Sequence, residues 1–187
     1  MGQYYNVVIE DKDGNLTASD RTVDGEYTMA KLMEHSWWYN PFVSTITKML
    51  HKNPMRVAWV GDYADDCVDA YRIGEIFAKA WTSEDAIGVN ADELQLDGKY
   101  LVNHDNHTYV DCTKYRERCE NKKYPNWIIH PIPLLTAVGN GLGGGDYSGI
   151  DEREVGLWYL SLISVEDEPP VDYEEYNPTF KEKFNNW

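Results

Sequence analysis

The stretch PMRVAWVGDYADDCVDAYRIGEIFAKAW, residues 54–81, is the one around which we expect the fold to be organised. Residues 55–60 are mostly apolar and predict a strand, and Gly61 then predicts a turn. A group of carboxylates follows at helical spacing before the pattern becomes apolar again. This group consists of Asp62, Asp65, Asp66 and Asp69.

The aspartate group and the apolar residues after it compete for the same side of a helix. At about 100° per residue, the aspartates fall on the face that also carries the apolar residues of 73–80. A straight helix cannot put that face both in water and in the core. We therefore expect the helix to break near Gly74, which leaves the aspartates as an exposed acidic patch. In the alternative, a continuous helix, the acids lie at the edge of the core and need a metal or hydrogen-bond partners.

Composition places the chain among folded, acidic proteins. Its 187 residues are enough for one sizeable core and short for two. The 7 Trp, 14 Tyr and 4 Phe need burial or a partner, which excludes global disorder. With 32 Asp and Glu against 17 Lys and Arg, the net charge is −15. Such a surface disfavours direct binding to nucleic acid or anionic membranes and favours cationic partners. A soluble acidic protein is the simpler interpretation, and phosphate mimicry is the alternative.

The cysteines and the N-terminal sequence predict a cytoplasmic protein. Three cysteines form an odd set without the spacing of a disulfide framework, which favours reduced thiols. The first residues lack the pattern of a signal peptide, and no apolar run approaches the roughly 20 residues of a membrane-spanning helix.

Two β-hairpins and one helix are predicted from local signals. Residues 4–10 and 16–21 flank an Asp-Gly turn, and residues 99–103 and 108–112 are joined by the sequence HDNH. The clearest amphipathic helix covers residues 40–51, where apolar residues recur at helical spacing. Its start is marked by Asn40, which can cap the helix, and by Pro41, which can take its first position.

The later apolar segments predict further strands. Residues 127–138 contain two prolines, which favour an edge strand or an extended segment because proline cannot donate to a sheet. Residues 155–165 predict a buried strand, although a helix of that length is the alternative.

Together these elements predict a single α+β domain over residues 1–165. We expect a mainly antiparallel or mixed sheet of about five or six strands with two or three packed helices, including residues 40–51 and 64–81. Residues 166–187 predict an acidic, proline-containing C-terminal tail, extended or disordered. The tail holds three aromatic residues that can dock back on the domain: Phe180, Phe184 and Trp187.

The aspartate group also suggests hydrolysis assisted by a metal ion. Clustered carboxylates raise one another's pKa and bind hard cations. Asp62 follows a strand, a position where α/β enzymes often carry a catalytic acid. The ordinary explanation is that aspartates at a helix start interact favourably with its dipole. The catalytic residues of the hydrolase alternative are Asp62, Asp65, Asp66 and His35.

A second possible ligand set contains His104, His107, Cys112 and Cys119. Imidazole and thiolate groups suit zinc, but these spacings match no standard zinc module. If the two histidines flank a hairpin turn, they are surface residues. We expect no bound metal and no cofactor.

The glycine-rich segment GNGLGGGDYSG, residues 139–149, satisfies the pattern GxGxxG. A dinucleotide site needs such a loop to open a helix whose N-terminus receives the pyrophosphate. Here Asp146 and Tyr147 follow instead, and the acidic surroundings oppose a phosphate. The segment therefore predicts a structural or gating loop.

The adjacent Trp37 and Trp38 cannot both face one core from regular structure, so one of them is expected at a surface groove or an irregular packing site. The alternative is that both are core residues. With the acidic residues they complete the predicted binding set. Its members are Asp62, Asp65, Asp66, Asp69, Trp37, Trp38, Asp146 and Tyr147.

Five stretches carry a resemblance: MGQYY (1–5), KLMEHSWW (31–38), VAWVGDYAD (57–65), DGKYLVNH (97–104) and HPIPLLTAVGNGLGGGDY (130–147). Together they resemble a family of small uncharacterised proteins from gut bacteria, their phages and mobile elements. The resemblance covers most of the chain and implies no particular activity. Small size, acidity and the context of mobile elements are similar to those of anti-defence proteins such as anti-CRISPRs, some of which block a cationic nucleic-acid channel.

The leading hypothesis is an acidic, non-enzymatic binding protein, a phage or mobile-element inhibitor. It would occupy a basic nucleic-acid-binding surface of a defence or host protein, such as a nucleic-acid-guided nuclease. The alternative is the metal-assisted hydrolase built on the aspartate group.

Overall fold

The structure is a computed structural model that describes residues 2–19, 29–82, 87, 94–119, 127–149 and 152–180. In these ranges the chain forms one mixed, mostly antiparallel sheet of eight strands and five α-helices. This architecture confirms the predicted α+β class. Within the described ranges, no helix combines the length and apolar character needed to cross a membrane.

The sheet has the order β2-β1-β3-β7-β4-β5-β8, and β6 pairs with β3 beside this path. Only the β3–β6 and β5–β8 pairs are parallel. Both predicted hairpins form, as β1–β2 and β4–β5. The strands are β1 (Tyr5–Glu10), β2 (Leu16–Ala18), β3 (Met55–Gly61), β4 (Tyr100–Asn103), β5 (Thr108–Asp111), β6 (Ala137–Val138), β7 (Leu162–Glu166) and β8 (Glu174–Glu175).

Strand β3 is central because both of its edges and both of its faces are used. One edge pairs with β1 along the whole strand, and the other pairs with β7 at the start and β6 at the end. Its side chains alternate between two apolar clusters, Val57 and Trp59 in one and Ala58 and Val60 in the other. An apolar run that is buried on both faces therefore carries few polar residues.

The helices are α1 (Leu32–His35), α2 (Pro41–Leu50), α3 (Ile73–Thr82), α4 (Cys112–Cys119) and α5 (Pro131–Leu135). Helix α2 confirms the prediction from sequence: Asn40 Oδ1 accepts a hydrogen bond of 3.1 Å from the Val43 N–H, and proline takes the first position. The apolar face of α2 joins the larger cluster, whereas Ile76 and Ala80 of α3 join the smaller one on the opposite face of the sheet.

The predicted helix over 64–81 is interrupted, as the shared face of acids and apolar residues required. Ala64–Asp66 forms one 3-10 turn, further turns follow, and the α-helix begins only at Ile73. The break near Gly74 is thereby confirmed, and the helical part of the prediction was too long at its start.

The prediction for residues 127–138 was wrong for their middle part, because both prolines lie in a helix. The His130 side chain caps a short helix whose first residue is Pro131, and only the last two residues form a strand. Proline is compatible with the first turn of a helix because the N–H groups there have no partner within the helix. The strand β6 is buried and pairs in parallel with β3 alone, so it has a single neighbour in the sheet.

The C-terminal part of the described chain is integrated with the domain. Residues 155–160 form turns, so the predicted strand over 155–165 is reduced to β7. The segment after β7 adds β8 to the sheet edge and buries Phe180 in the larger cluster, as the docking prediction required. Phe184 and Trp187 lie outside the described residues.

Asp167, immediately after β7, joins three parts of the fold. Its carboxylate contacts His51 Nε2 at 3.0 Å, Lys52 Nζ at 2.6 Å and Lys99 Nζ at 3.0 Å. Hydrogen bonds from these groups, Lys52 first, hold the pKa of Asp167 well below its usual range.

We expect Asp167→Asn to destabilise the protein at neutral pH, with a difference that shrinks in acid. A carboxyl whose pKa is lower in the folded state contributes its stability above the pKa of the unfolded state, roughly 3.9, and loses it as the pH falls below that value. Thermal unfolding of both proteins between neutral and about pH 3 measures this difference. Glu117→Gln, at an exposed site, is the control. A difference that stays constant through this range would contradict the role of the ion pairs.

Candidate functional site

A cavity of about 670 Å³ lies where β3 and β6 end side by side. Because these strands are parallel, their carboxyl ends open at the same place, and the chain continues from them as Asp62 and Gly139. In open α/β sheets this edge is where ligands commonly bind. The glycine-rich loop, residues 139–149, forms much of the cavity wall, and Asp146 and Tyr147 are among its lining residues.

The floor of this region is organised by Gln3, which has no exposed surface. In the orientation that satisfies its amide, Gln3 Nε2 donates to Asp146 Oδ2 at 2.9 Å and to the Tyr5 hydroxyl at 3.1 Å. Its Oε1 accepts from the Tyr63 N–H at 3.2 Å. One amide therefore connects the N-terminal strand, the glycine-rich loop and the turn after β3.

Gly61, Gly139 and Gly143 have no side chain, and this leaves the space that the Gln3 and Tyr5 side chains occupy. A Cβ atom at Gly61 or Gly143 would overlap the Gln3 side chain. A Cβ atom at Gly139 would lie only 2.6 Å from the Tyr5 hydroxyl oxygen. Glycine is needed here for close approach, which is the structural role predicted for the loop.

The glycine-rich loop is further held by its own backbone. The Gly143 N–H donates to Asp146 Oδ2 at 3.1 Å, and the Met33 N–H of α1 donates to the Gly145 carbonyl at 3.0 Å. No helix of the described chain begins in this loop, so it lacks the helix N-terminus that a dinucleotide pyrophosphate requires.

The electrostatics of the cavity are dominated by carboxylates. Burial, with a further contribution from the Asp62 charge, raises the pKa of Asp146. Burial and the Asp146 charge raise the pKa of Tyr5 well above its usual value. Glu152 is a second acidic lining residue, and none of the described lining residues is Lys, Arg or His. The cavity is therefore suited to cations and unsuited to phosphates.

Beside the cavity runs a segment that we call the acidic rim: Asp62, Asp65, Asp66 and Asp69. Asp62 is anchored to the N-terminal strand, because its N–H donates to the Tyr4 carbonyl at 2.9 Å and its Oδ1 accepts from the Tyr4 N–H at 3.2 Å. The other three side chains are exposed. Asn140 Nδ2 of the glycine-rich loop lies 3.5 Å from Asp66 Oδ2, so the rim borders the cavity wall.

The structure separates the two tryptophans of the predicted binding set, and neither lines the cavity. Trp38 is fully buried and its Nε1 donates to Asp97 Oδ2 at 3.1 Å, so it cannot contact a partner directly. Trp37 is half-buried and packs on Trp127 with ring centres 4.7 Å apart. Of the two neighbours, Trp38 is thus a core residue and Trp37 is only partly buried.

His35 and His130 have structural surroundings. His35 is buried, and its Nδ1 accepts a hydrogen bond of 2.9 Å from Trp59 Nε1. His130 Nδ1 accepts from the Ile132 N–H at 3.3 Å at the start of α5, and burial lowers the pKa of His130 to about 3. Because both rings lie in the core, neither reaches the acidic rim as a general base.

His104 and His107 lie in the turn between β4 and β5, as the hairpin prediction required. His104 Nε2 lies 2.8 Å from Ser164 Oγ, and the His107 ring packs on Tyr173. Cys112 is buried in the larger apolar cluster. Across the described ranges no three His, Cys, Asp or Glu side chains form a group that could hold a metal ion. The hydrolase alternative therefore finds no assembled ligand set there.

Gln3 and Tyr5 are the site residues that reasoning from residue types missed. A short N-terminal motif of polar and aromatic residues predicts no function by itself. The only signal was the resemblance, since stretches 1–5, 31–38, 57–65 and 130–147 all contribute residues to the cavity or to its supporting network.

Comparison of the chain with models of protein families, with curated proteins and with solved structures gives no match.

We expect Gly143→Ala and Gly74→Ala to have opposite effects on stability. The new methyl group at position 143 overlaps Gln3 and should destabilise the fold by about 1–3 kcal/mol. At Gly74, an exposed position of α3 with no atom within 4 Å of a new Cβ, alanine should stabilise by about 0.4–1 kcal/mol. Urea unfolding measures both. Equal effects would contradict the proposed packing of Gln3.

Proposed function

We propose that this protein is a non-enzymatic inhibitor from a phage or mobile element, similar in its mode of action to an anti-CRISPR. It acts in the cytoplasm of a bacterial host cell, where its acidic rim occupies a basic nucleic-acid-binding surface of a defence or host protein. A nucleic-acid-guided nuclease is the kind of partner that fits. The rim takes the place of a nucleic-acid backbone.

The observation that carries this proposal is that the acidic rim has no counter-ion among the residues that the structure describes. None of the described Lys, Arg or His side chains forms an ion pair with its four aspartates. Elsewhere cations do meet carboxylates, as Arg56 meets Asp105 at 2.6 Å and Arg72 meets Glu10 at 2.8 Å. An acidic patch that is not paired with the described cations leaves its field available to a cationic surface.

Exposed apolar side chains beside the rim provide surface that a protein partner can bury on binding, in addition to the charge interaction. Val68, 78% exposed, lies within the rim just before Asp69, and Tyr71, 72% exposed, lies in the turn that follows it. Leu142, 84% exposed, projects from the glycine-rich loop next to Asn140, which contacts Asp66. Apolar groups flanked by charges are typical of protein-binding surfaces.

The rim is also held in place before any partner arrives. The Cys67 N–H donates to the Ala64 carbonyl at 3.0 Å, and the Ala70 N–H donates to the Cys67 carbonyl at 2.8 Å. With the Tyr4 bonds to Asp62, these turns fix the segment at both ends. A surface that is already ordered loses less conformational entropy on binding.

A charge-matched pair of variants tests the proposal. Asp65→Asn, Asp66→Asn and Asp69→Asn together should lower the association rate with a basic guided nuclease by roughly tenfold at low salt and weaken its salt dependence, because steering depends on charge at the contact. Stopped-flow binding to a panel of such nucleases, with loss of their DNA binding as a second readout, measures this. The control combines Asp13→Asn, Glu117→Gln and Glu168→Gln, which changes the net charge equally at exposed sites away from the rim.

Equal effects of the two triple variants would show that only net charge matters, and would contradict a binding role of the rim. Absence of binding to every nuclease in the panel would overturn the choice of partner.

A further inference from the structure

We propose that the cavity at the ends of β3 and β6 is a binding site for a small organic cation, an alkylammonium or alkylguanidinium compound. The site is separate from the contact proposed for the acidic rim, because it is a partly open cleft whose lining includes none of the four rim aspartates.

The cavity has the size and walls of a small-molecule site. Its volume of about 670 Å³ lies within the range of roughly 300–1,000 Å³ that such sites occupy. The apolar part of the wall includes Leu32, Val138 and Val155. This surface suits the alkyl part of a ligand.

Three tyrosines also line the cavity: Tyr5, Tyr147 and Tyr159. Aromatic rings attract organic cations through the negative face of the ring, and methylated ammonium groups are often bound by several aromatic side chains together. Neutral or anionic ligands gain nothing comparable from the same rings. The aromatic part of the wall thus favours a positively charged group.

Asp146 provides the charge, and one of its oxygens lacks a partner. Oδ2 accepts from the Gly143 N–H at 3.1 Å and from Gln3 Nε2 at 2.9 Å. Oδ1 is buried and has no donor at hydrogen-bond geometry among the described atoms, while the Tyr5 hydroxyl is close enough to the carboxylate to lower the pKa of Asp146 in part. A buried carboxylate oxygen without a donor is costly. A cation in the cavity would lower this cost through its charge.

The arrangement is selective against anions. Glu152 is a second carboxylate in the wall, and the Asp62 charge is close enough to raise the pKa of Asp146. No Lys, Arg or His is present among the described lining residues to offset these charges. Phosphates, sulfates and carboxylic acids would therefore be repelled.

Calorimetric titration of the full-length protein with matched pairs of probes tests the inference. Butylamine and butylguanidine represent primary ammonium and guanidinium ligands, with butan-1-ol as their neutral counterpart. Choline represents quaternary ammonium, with 3,3-dimethylbutan-1-ol as its neutral counterpart. We expect one bound cation per chain, at least roughly tenfold tighter than its neutral counterpart, because an interaction with a charged group contributes about 1.5–3 kcal/mol.

Two variants assign the binding to the cavity. Asp146→Asn should weaken cation binding at least roughly tenfold. Ala70→Phe, which keeps the charge and fills the cavity from a lining position, should also abolish binding. Glu117→Gln is the control and should bind normally. Binding should also weaken as the pH falls through the raised pKa of Asp146, since the neutral carboxyl attracts the cation less.

No binding by any of the three cations, equal binding of the neutral counterparts, or normal binding by Ala70→Phe would each overturn the inference. Because every probe is a free small molecule, these outcomes are independent of whether the acidic rim binds a nuclease.

Discussion

The burial of β3 on both faces and along both edges is the constraint on which the rest of the structure depends. Helix α2 covers one face and α3 the other, while β1, β7 and β6 occupy the edges. Only the carboxyl end of the strand is left open. Because β6 runs parallel to β3 and ends beside it, the two open ends coincide, and the cavity lies there.

Close packing around Gln3 fixes the positions of the segments that surround the cavity beside the end of β3. A buried amide is tolerated only when its hydrogen-bonding groups are satisfied, and Gln3 satisfies them with Asp146, Tyr5 and the backbone of Tyr63. These partners lie on three different segments, so the same bonds that satisfy Gln3 also position the glycine-rich loop. The glycines at 61, 139 and 143 are needed here because a side chain would collide with Gln3 or Tyr5. No described helix begins in the glycine-rich loop, so these glycines do not form the phosphate-binding turn of a dinucleotide site.

Acidic residues in different parts of the surface differ in whether they are paired with cations. Asp167 gathers three cations and thereby ties β7 to the end of α2 and the start of β4, so its charge serves stability. No cation in the described part of the chain pairs with the acidic rim, which lies beside exposed apolar side chains. The carboxylates behind the net charge of −15 thus differ: Asp167 forms ion pairs within the fold, whereas most of the rim carboxylates are exposed to solvent.

Sequence alone determined the features whose causes lie within a few residues. Asn40 and Pro41 start α2, the Asp-Gly and HDNH turns define the hairpins, and the clash of acids with apolar residues on one helical face breaks the chain before Ile73. Tertiary structure decided the rest. The prolines of 131–135 begin a helix because His130 caps it and β6 then finds β3 as a parallel partner. Gln3 is buried because residues some 60 and 140 positions away supply its partners and the space around it. Contacts across such separations leave no local periodicity or turn signal in the sequence, so only the folded chain reveals them.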